Sequence, residues 1–391
     1  CGDPLYRDAR GSAVSERAVI LHDLQNPGGG FTDAEYADFA KTFDELVYPT
    51  VVANFGEPTD IDRNGRVVIL FTSAVNELAS AQASSYVAGF FYARDLFPKA
   101  NTPALSRCEA SNEAELLYMM TPDPLGSVKG NVRSKRFVRD RTVAVLGHEL
   151  QHLINASRRL RVVGSEQWNE EFWLNEGLSH IAEELLFYAA TGLEPRREIT
   201  GARVRGAVRE SFERYQWVNS ARYAAYLRDP AGASAFSGPD LANRGASWAF
   251  LRYAADRRAG DDPTLWRRLV DTHAIGYANL AAALGVSPIT WMHDWAVSFY
   301  TDDFIPVEPR FRQPSWNFRS VLPTLGNGVN SYPLRVDHVV QRSPAYQGTL
   351  VAGGAGILRF SVPAGGRAHF RTTSGGAAPP SHLRLTLVRT W

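Results

Sequence analysis

Two stretches, His148-Glu149-Leu150-Gln151-His152 and Trp173-Leu174-Asn175-Glu176-Gly177-Leu178-Ser179-His180-Ile181-Ala182-Glu183, decide how this chain reads. Around the first, Val143, Leu146, Leu150, Leu153 and Ile154 recur at helical spacing, and Asp140 stands as the candidate N-cap of a helix that starts near Arg139. Histidines four apart share one helix face, so both imidazoles can address one ion, and the intervening Glu149 can reach a water on that ion. A catalytic zinc takes three protein ligands and a water, so a third ligand must come from elsewhere. The second stretch offers it. A helix from about Asn169 to Ala190, with Glu170 and Glu171 in its first turn and Gly192 beyond its end, carries Glu176 near its start, bracketed by Trp173, Leu174 and Leu178. An antiparallel neighbour of the first helix would bring that carboxylate to the same metal.

Working outward, helical periodicity continues to about Tyr300. Later helices begin at Asp262-Pro263 and Ser287-Pro288, each a capping residue followed by a proline suited to the first helical turn. Upstream lies a mixed segment. Asp33 to Val47 has helical spacing and stops before Pro49, and Arg66 to Phe71 is an apolar run of strand length introduced by Asn64-Gly65. Tyr86 to Tyr92 and Glu115 to Met120 are further strand candidates. After Pro306 the pattern changes to glycine pairs separating short alternating runs, such as Leu358, Phe360, Val362 and Leu383, Leu385, Leu387. The expected fold class is α+β, with a small antiparallel β-sandwich at the end.

Composition narrows the partners. The 391 residues carry 42 basic and 41 acidic side chains, which argues against a nucleic-acid binder, and 11% aromatic content argues against disorder. The longest uncharged window, Ala274 to Met292, is interrupted by Gly276, Asn279, Gly285 and Pro288 and does not read as a membrane span.

The pairing of HExxH with a Trp-Leu-Asn-Glu-Gly segment resembles the gluzincin metallopeptidases, and within them the hyicolysin-type peptidases. The latter have similar segments to Asp60-Ile-Asp-Arg-Asn-Gly65, Val87-Ala-Gly-Phe-Phe91 and residues 173–179. The resemblance covers roughly residues 45–300. It implies a zincin-like domain over 16–308, with a sheet-bearing lobe (16–137) and a helical lobe (138–308); the polar residues before it read as an N-terminal tether (1–15), and the alternating runs after it as the β-sandwich over 309–391. It also implies a single Zn2+ held by His148, His152 and Glu176, and a zinc-activated water with Glu149 as general base, acting on protein or peptide substrates. No glycine-rich motif ending in Met-Glu-Asn is present, which favours an endopeptidase over a zinc aminopeptidase. A non-catalytic envelope protein with a binding role is the alternative from another class, and an intact Glu149 argues against it.

Other positions carry weaker expectations. Metal-bound histidines donate their second N–H to a neighbouring acceptor, and Glu183, His180 and Asn175 are the candidates near Glu176. For the oxyanion donor, Arg244 stands where the resemblance would put a tyrosine, with Tyr223, Tyr226, Tyr253 and His180 as alternatives. Asp60, Asp62 and Asn64 match the first half of a Ca2+ loop, but Phe71 occupies the twelfth position, and a turn feeding a strand explains them equally well. Cys1 looks like the lipid-bearing mature end of a bacterial lipoprotein, which would give an envelope location and a membrane contact through the lipid alone. The alternative is a Cys1–Cys108 disulfide in a secreted protein. Both readings are extracytoplasmic.

Overall fold

Five strands make one mixed sheet: β1 (Ala9–Val14), β2 (Ala18–Asp23), β3 (Val67–Phe71), β4 (Gly89–Phe91) and β5 (Leu116–Met119). Their spatial order is β1-β2-β3-β5-β4, with β2, β3 and β5 parallel and the two outer strands antiparallel to their neighbours. The computed structural model describes residues 1–83, 85–326, 329–339 and 346–390. Between the strands run α1 (Asp33–Thr42), α2 (Tyr48–Phe55) and the single turn α3 (Ser73–Asn76). Val67, Ile69 and Phe71 of β3 are buried, and the Phe71 ring meets Phe31, Tyr36 and Phe39 beneath α1, which is why an unbroken apolar run forms a central strand.

The helical part follows: α4 (Lys135–Ser157), α5 (Phe172–Thr191), α6 (Ala207–Ser211), α7 (Trp217–Arg228), α8 (Leu241–Arg257), α9 (Asp262–Val270), α10 (Gly276–Leu284), α11 (Pro288–Thr301) and α12 (Phe318–Val321). Helix α4 lies between the sheet and α5, so its residues face both β4 and β5 on one side and the helical core on the other. Asp261 caps α9 by accepting from the Thr264 amide, and Pro263 and Pro288 occupy the first turns of α9 and α11. Gly192 ends α5 in the left-handed conformation.

Several expectations are corrected. The helix expected to stop before Pro49 runs on through a π-helical turn at Phe43–Val47, where the Tyr48 amide bonds the Phe43 carbonyl, into α2 with Pro49 in the turn that follows. Helix α4 starts at Lys135, not near Arg139, since the Ser134 hydroxyl accepts from the Phe137 amide and supplies the cap that was assigned to Asp140. Strands β1 and β2 were not anticipated. At the C-terminal end the expected antiparallel sandwich is not found among the described residues. The strands there are β6 (Asp337–Val339) and β7 (Leu358–Phe360), which pair in parallel. Residues 383–387 form no strand, and Leu385 and Leu387 are 64% and 59% exposed, so their alternation has no second face to cover. Packing of the helical core also runs past residue 308: Trp316 is buried against Phe187, Tyr188 and Phe212.

Cys1 and Cys108 are joined in a disulfide. This is the pairing named above as the alternative to a lipid-bearing Cys1. No helix among the described residues is long and apolar enough to cross a membrane.

Candidate metal centre

Four helices converge on one pocket of polar groups. Helix α4 presents His148, Glu149 and His152, while α5 presents Glu176, Ser179, His180 and Glu183; Arg222 comes from α7 and Arg244 from α8. Close packing sets this convergence. A Cβ on Gly147, next to His148, would lie 2.5 Å from Leu186 Cδ1 of α5, so the missing side chain lets the two ligand-bearing helices touch beside the site.

The three ligand atoms implied by the sequence come together. Glu176 Oε2 is 3.6 Å from His148 Nε2, Glu176 Oε1 is 4.0 Å from His152 Nε2, and one donor atom from each residue lies within 4.8 Å of the others. Ligands at about 2.0–2.1 Å from a tetrahedral zinc are about 3.4 Å apart, so only small side-chain rotations separate this arrangement from a closed site. The donor set, two imidazoles and a carboxylate, is that of a catalytic zinc. The residues present therefore fit the ion. In a second grouping, His148, His180 and Glu183, the donor atoms already bond to each other: Glu183 Oε1 lies 2.7 Å from His148 Nδ1 and 3.2 Å from His180 Nδ1.

Surrounding bonds orient the histidines. Glu183 Oε1 accepts from His148 Nδ1 at 2.7 Å, which turns Nε2 toward Glu176. Ser179 Oγ lies 3.1 Å from that Nε2 and donates to the Glu176 carbonyl. Asn175 ties α5 to α4 by accepting from Asn155 Nδ2 at 2.9 Å. Glu149 is 6% exposed, and one of its carboxylate oxygens accepts from the Phe91 amide of β4 at 2.9 Å.

The electrostatics follow from crowding. Burial alone would raise the Glu176 and Glu183 carboxyls, but hydrogen bonds and charge from His148, together with the charges of the neighbouring histidines, hold both well below the usual carboxylate range. Burial would lower His148, yet its bonds to Glu176 and Glu183 push it up to about 10. His180 goes the other way, to about 4: burial opposes its charge, the Arg222 guanidinium adds to that, and Glu183 offsets only part.

The structure separates the oxyanion candidates. Arg244 reaches the centre, where its Nη1 donates to Glu176 Oε2 at 2.7 Å and its guanidinium lies over the Phe172 ring. Tyr223 and Tyr226 do not: both are fully buried, stacked on each other and on Trp295. Tyr253 is 2% exposed, and its hydroxyl donates to the Arg310 carbonyl. None of these hydroxyls can meet a substrate without unpacking the core. His180 is likewise 1% exposed.

Away from this centre, carboxylate oxygens of Asp60, Asp62 and the buried Glu115 lie within 4.8 Å of one another, and Asn64 Nδ2 donates to Asp62 at 2.6 Å. Gly65 N–H donates to Asp60, Asn64 N–H donates to Asp62, and Thr59 and Ile61 donate to Glu115, so these carboxylates already serve the turn before β3.

Sequence reasoning missed Arg222, the Phe91 amide and Glu115. Arg222 sits in a helix far from either motif, and the only local sign of it was Gly245 beside Arg244, a small residue at a helix crossing.

No family model matches the chain. Over 154 residues it is 30% identical to the neutral metalloprotease ShpI of Staphylococcus hyicus, a match that covers 39% of this chain and 31% of that protein. The chain thus spans about a third of the length of that relative, and the likeness supports a metallopeptidase relationship over the matched stretch.

Proposed function

We propose that the chain is a zinc-dependent metalloendopeptidase of gluzincin type, with His148, His152 and Glu176 as the metal ligands and Glu149 as the general base. The observation that carries this reading is the convergence of the three donor atoms from α4 and α5, with Glu149 between the two histidines on the same helix. A bound zinc ion lowers the pKa of water from 15.7 to about 7 and polarises a peptide carbonyl.

The chain's own groups do the rest. The Phe91 amide holds one oxygen of Glu149 and leaves the other to take the proton from the attacking water and pass it to the leaving amine. Glu183 fixes His148, and Asn175 braces the two helices. With the three tyrosines sealed in the core, Arg244 is the donor at the rim for charge that develops on the carbonyl oxygen. Among the described residues β4 is an edge strand paired with β5 alone, and an extended peptide added along its other edge would lie beside Glu149. The Cys1–Cys108 disulfide suits an oxidising, extracytoplasmic compartment.

Metal analysis and cleavage assays on wild type and Glu149→Gln test this. Both proteins should hold about one zinc per chain, and wild type should cleave peptides blocked at both ends, with the variant slower by about 10²–10⁴-fold. Cleavage confined to peptides with a free amino terminus would indicate an aminopeptidase. Zinc-loaded wild type that cleaves nothing from a broad peptide library would refute the enzyme reading.

A further inference from the structure

We propose that Arg222 is a positioning residue of the metal centre, acting through His180 and Glu183 on His148. The proposal rests on the reading of His148 as a metal ligand.

The chain of bonds is directional. Arginine carries five N–H donors and no acceptor, so the 2.6 Å contact from Arg222 Nη1 requires His180 Nε2 to be a bare, accepting nitrogen. The His180 proton is then on Nδ1, which faces Glu183 Oε1 at 3.2 Å and donates to it. That same oxygen accepts from His148 Nδ1 at 2.7 Å. Glu183 is thus gripped from two sides, and the His148 ring is held with Nδ1 on Glu183 and Nε2 facing Glu176. Without Arg222, His180 can carry its proton on Nε2, its Nδ1 lone pair then faces the Glu183 oxygen, and one of the two grips on that carboxylate becomes a repulsion.

The backbone is arranged to place this arginine. A Cβ on Gly245 would lie 2.4 Å from the Arg222 carbonyl carbon and 2.7 Å from its Cβ, so α8 packs directly on the α7 backbone at this crossing. Arg222 is delivered from one side of the crossing and Arg244, the residue before Gly245, from the other. Arg222 is half-buried, and His180, which receives its bond, is 1% exposed, so the contact is shielded from competing water.

The test uses the full chain, zinc-loaded and zinc-stripped, with Arg222→Met and Arg222→Lys. Zinc affinity is read by competition with a chromophoric chelator, and the His180 tautomer is read from ring ¹⁵N shifts in the stripped protein. Arg222→Met should weaken zinc binding by about 10-fold, the lower end expected for a partner behind a ligand. It should also move the His180 proton from Nδ1 toward Nε2. Arg222→Lys, which keeps a donor and the charge, should recover most of both. A change in folding stability alone moves neither readout.

Arg222→Met that binds zinc as tightly as wild type, while His148→Ala loses it, overturns the proposal and leaves the metal centre standing. Wild type that takes up no zinc overturns the metal centre and the proposal with it. If Arg222→Met does not fold, wild type alone still decides: a His180 proton on Nε2 contradicts the proposal.

Discussion

Replacing Gly245 by alanine probes the packing that builds the site. The added Cβ would lie 2.4 Å from both the Arg222 carbonyl carbon and the Tyr223 amide nitrogen, atoms of a helix backbone that cannot turn aside. Carbon contacts are comfortable at about 3.5 Å, so α7 and α8 must part by about 1 Å. Gly147→Ala makes an instructive comparison, because its 2.5 Å contact is with Leu186 Cδ1, the end of a side chain that can change rotamer. Both substitutions gain about 1 kcal/mol from helix propensity. Overpacking costs about 1–3 kcal/mol, so Gly147→Ala should come out near neutral. Gly245→Ala should lose about 2 kcal/mol or more, since parting α7 from α8 also loosens Tyr223 against Trp248 and Phe318. Guanidinium melts followed by tryptophan fluorescence measure the difference, with zinc affinity read in parallel. Because Arg222 and Arg244 flank the crossing, Gly245→Ala should also bind zinc more weakly. A Gly245→Ala midpoint equal to wild type, or a larger loss for Gly147→Ala, would refute the reasoning.

Three further outcomes are expected. Glu184 is fully buried, accepts from Trp316 Nε1 at 2.6 Å, and is pushed up to about 7 by burial that Arg252 only partly offsets. The folded chain therefore holds this proton more tightly than the unfolded chain, and stability falls as pH rises from about 4.5 to about 7. Glu184→Gln, which keeps an acceptor for Trp316, should remove that component, so in denaturant melts across this range its gain over wild type should grow toward pH 8; parallel pH curves for the two proteins would contradict this. Native protein should show no free thiol by thiol titration, and Cys108→Ala should lose about 2–5 kcal/mol, because the Cys1–Cys108 bond closes a long loop; a titratable Cys108 in the native protein would contradict the pairing. Calorimetric addition of calcium to chelator-treated protein should give no heat beyond dilution if Asp60 and Asp62 serve the turn before β3, whereas heat abolished by Asp60→Ala would assign them to an ion.

How much was legible varied with the range of the interaction. His148, Glu149 and His152 were readable because a helix fixes their relation within five residues, and Glu176 because its neighbours marked a second helix. The N-cap of α4 was misplaced since Ser134 and Asp140 are both capping residues, and only the Phe137 amide decides between them. The tyrosines near Arg244 misled for a related reason: a helix carries residues to every side, and sequence alone does not say which side meets Trp295 and which meets Glu176. Arg222 was invisible because its role depends on the α7–α8 crossing. The C-terminal leucine alternation satisfied the period of a strand, but a sheet also needs a partner edge and a face to cover, and neither is a property of one segment.

The most direct test of the central claim is anomalous diffraction at the zinc edge from crystals of the zinc-loaded chain. The account predicts one peak within about 2.0–2.2 Å of His148 Nε2, His152 Nε2 and a Glu176 oxygen. A zinc held elsewhere, or by His180 and Glu183 in place of His152 and Glu176, would contradict it.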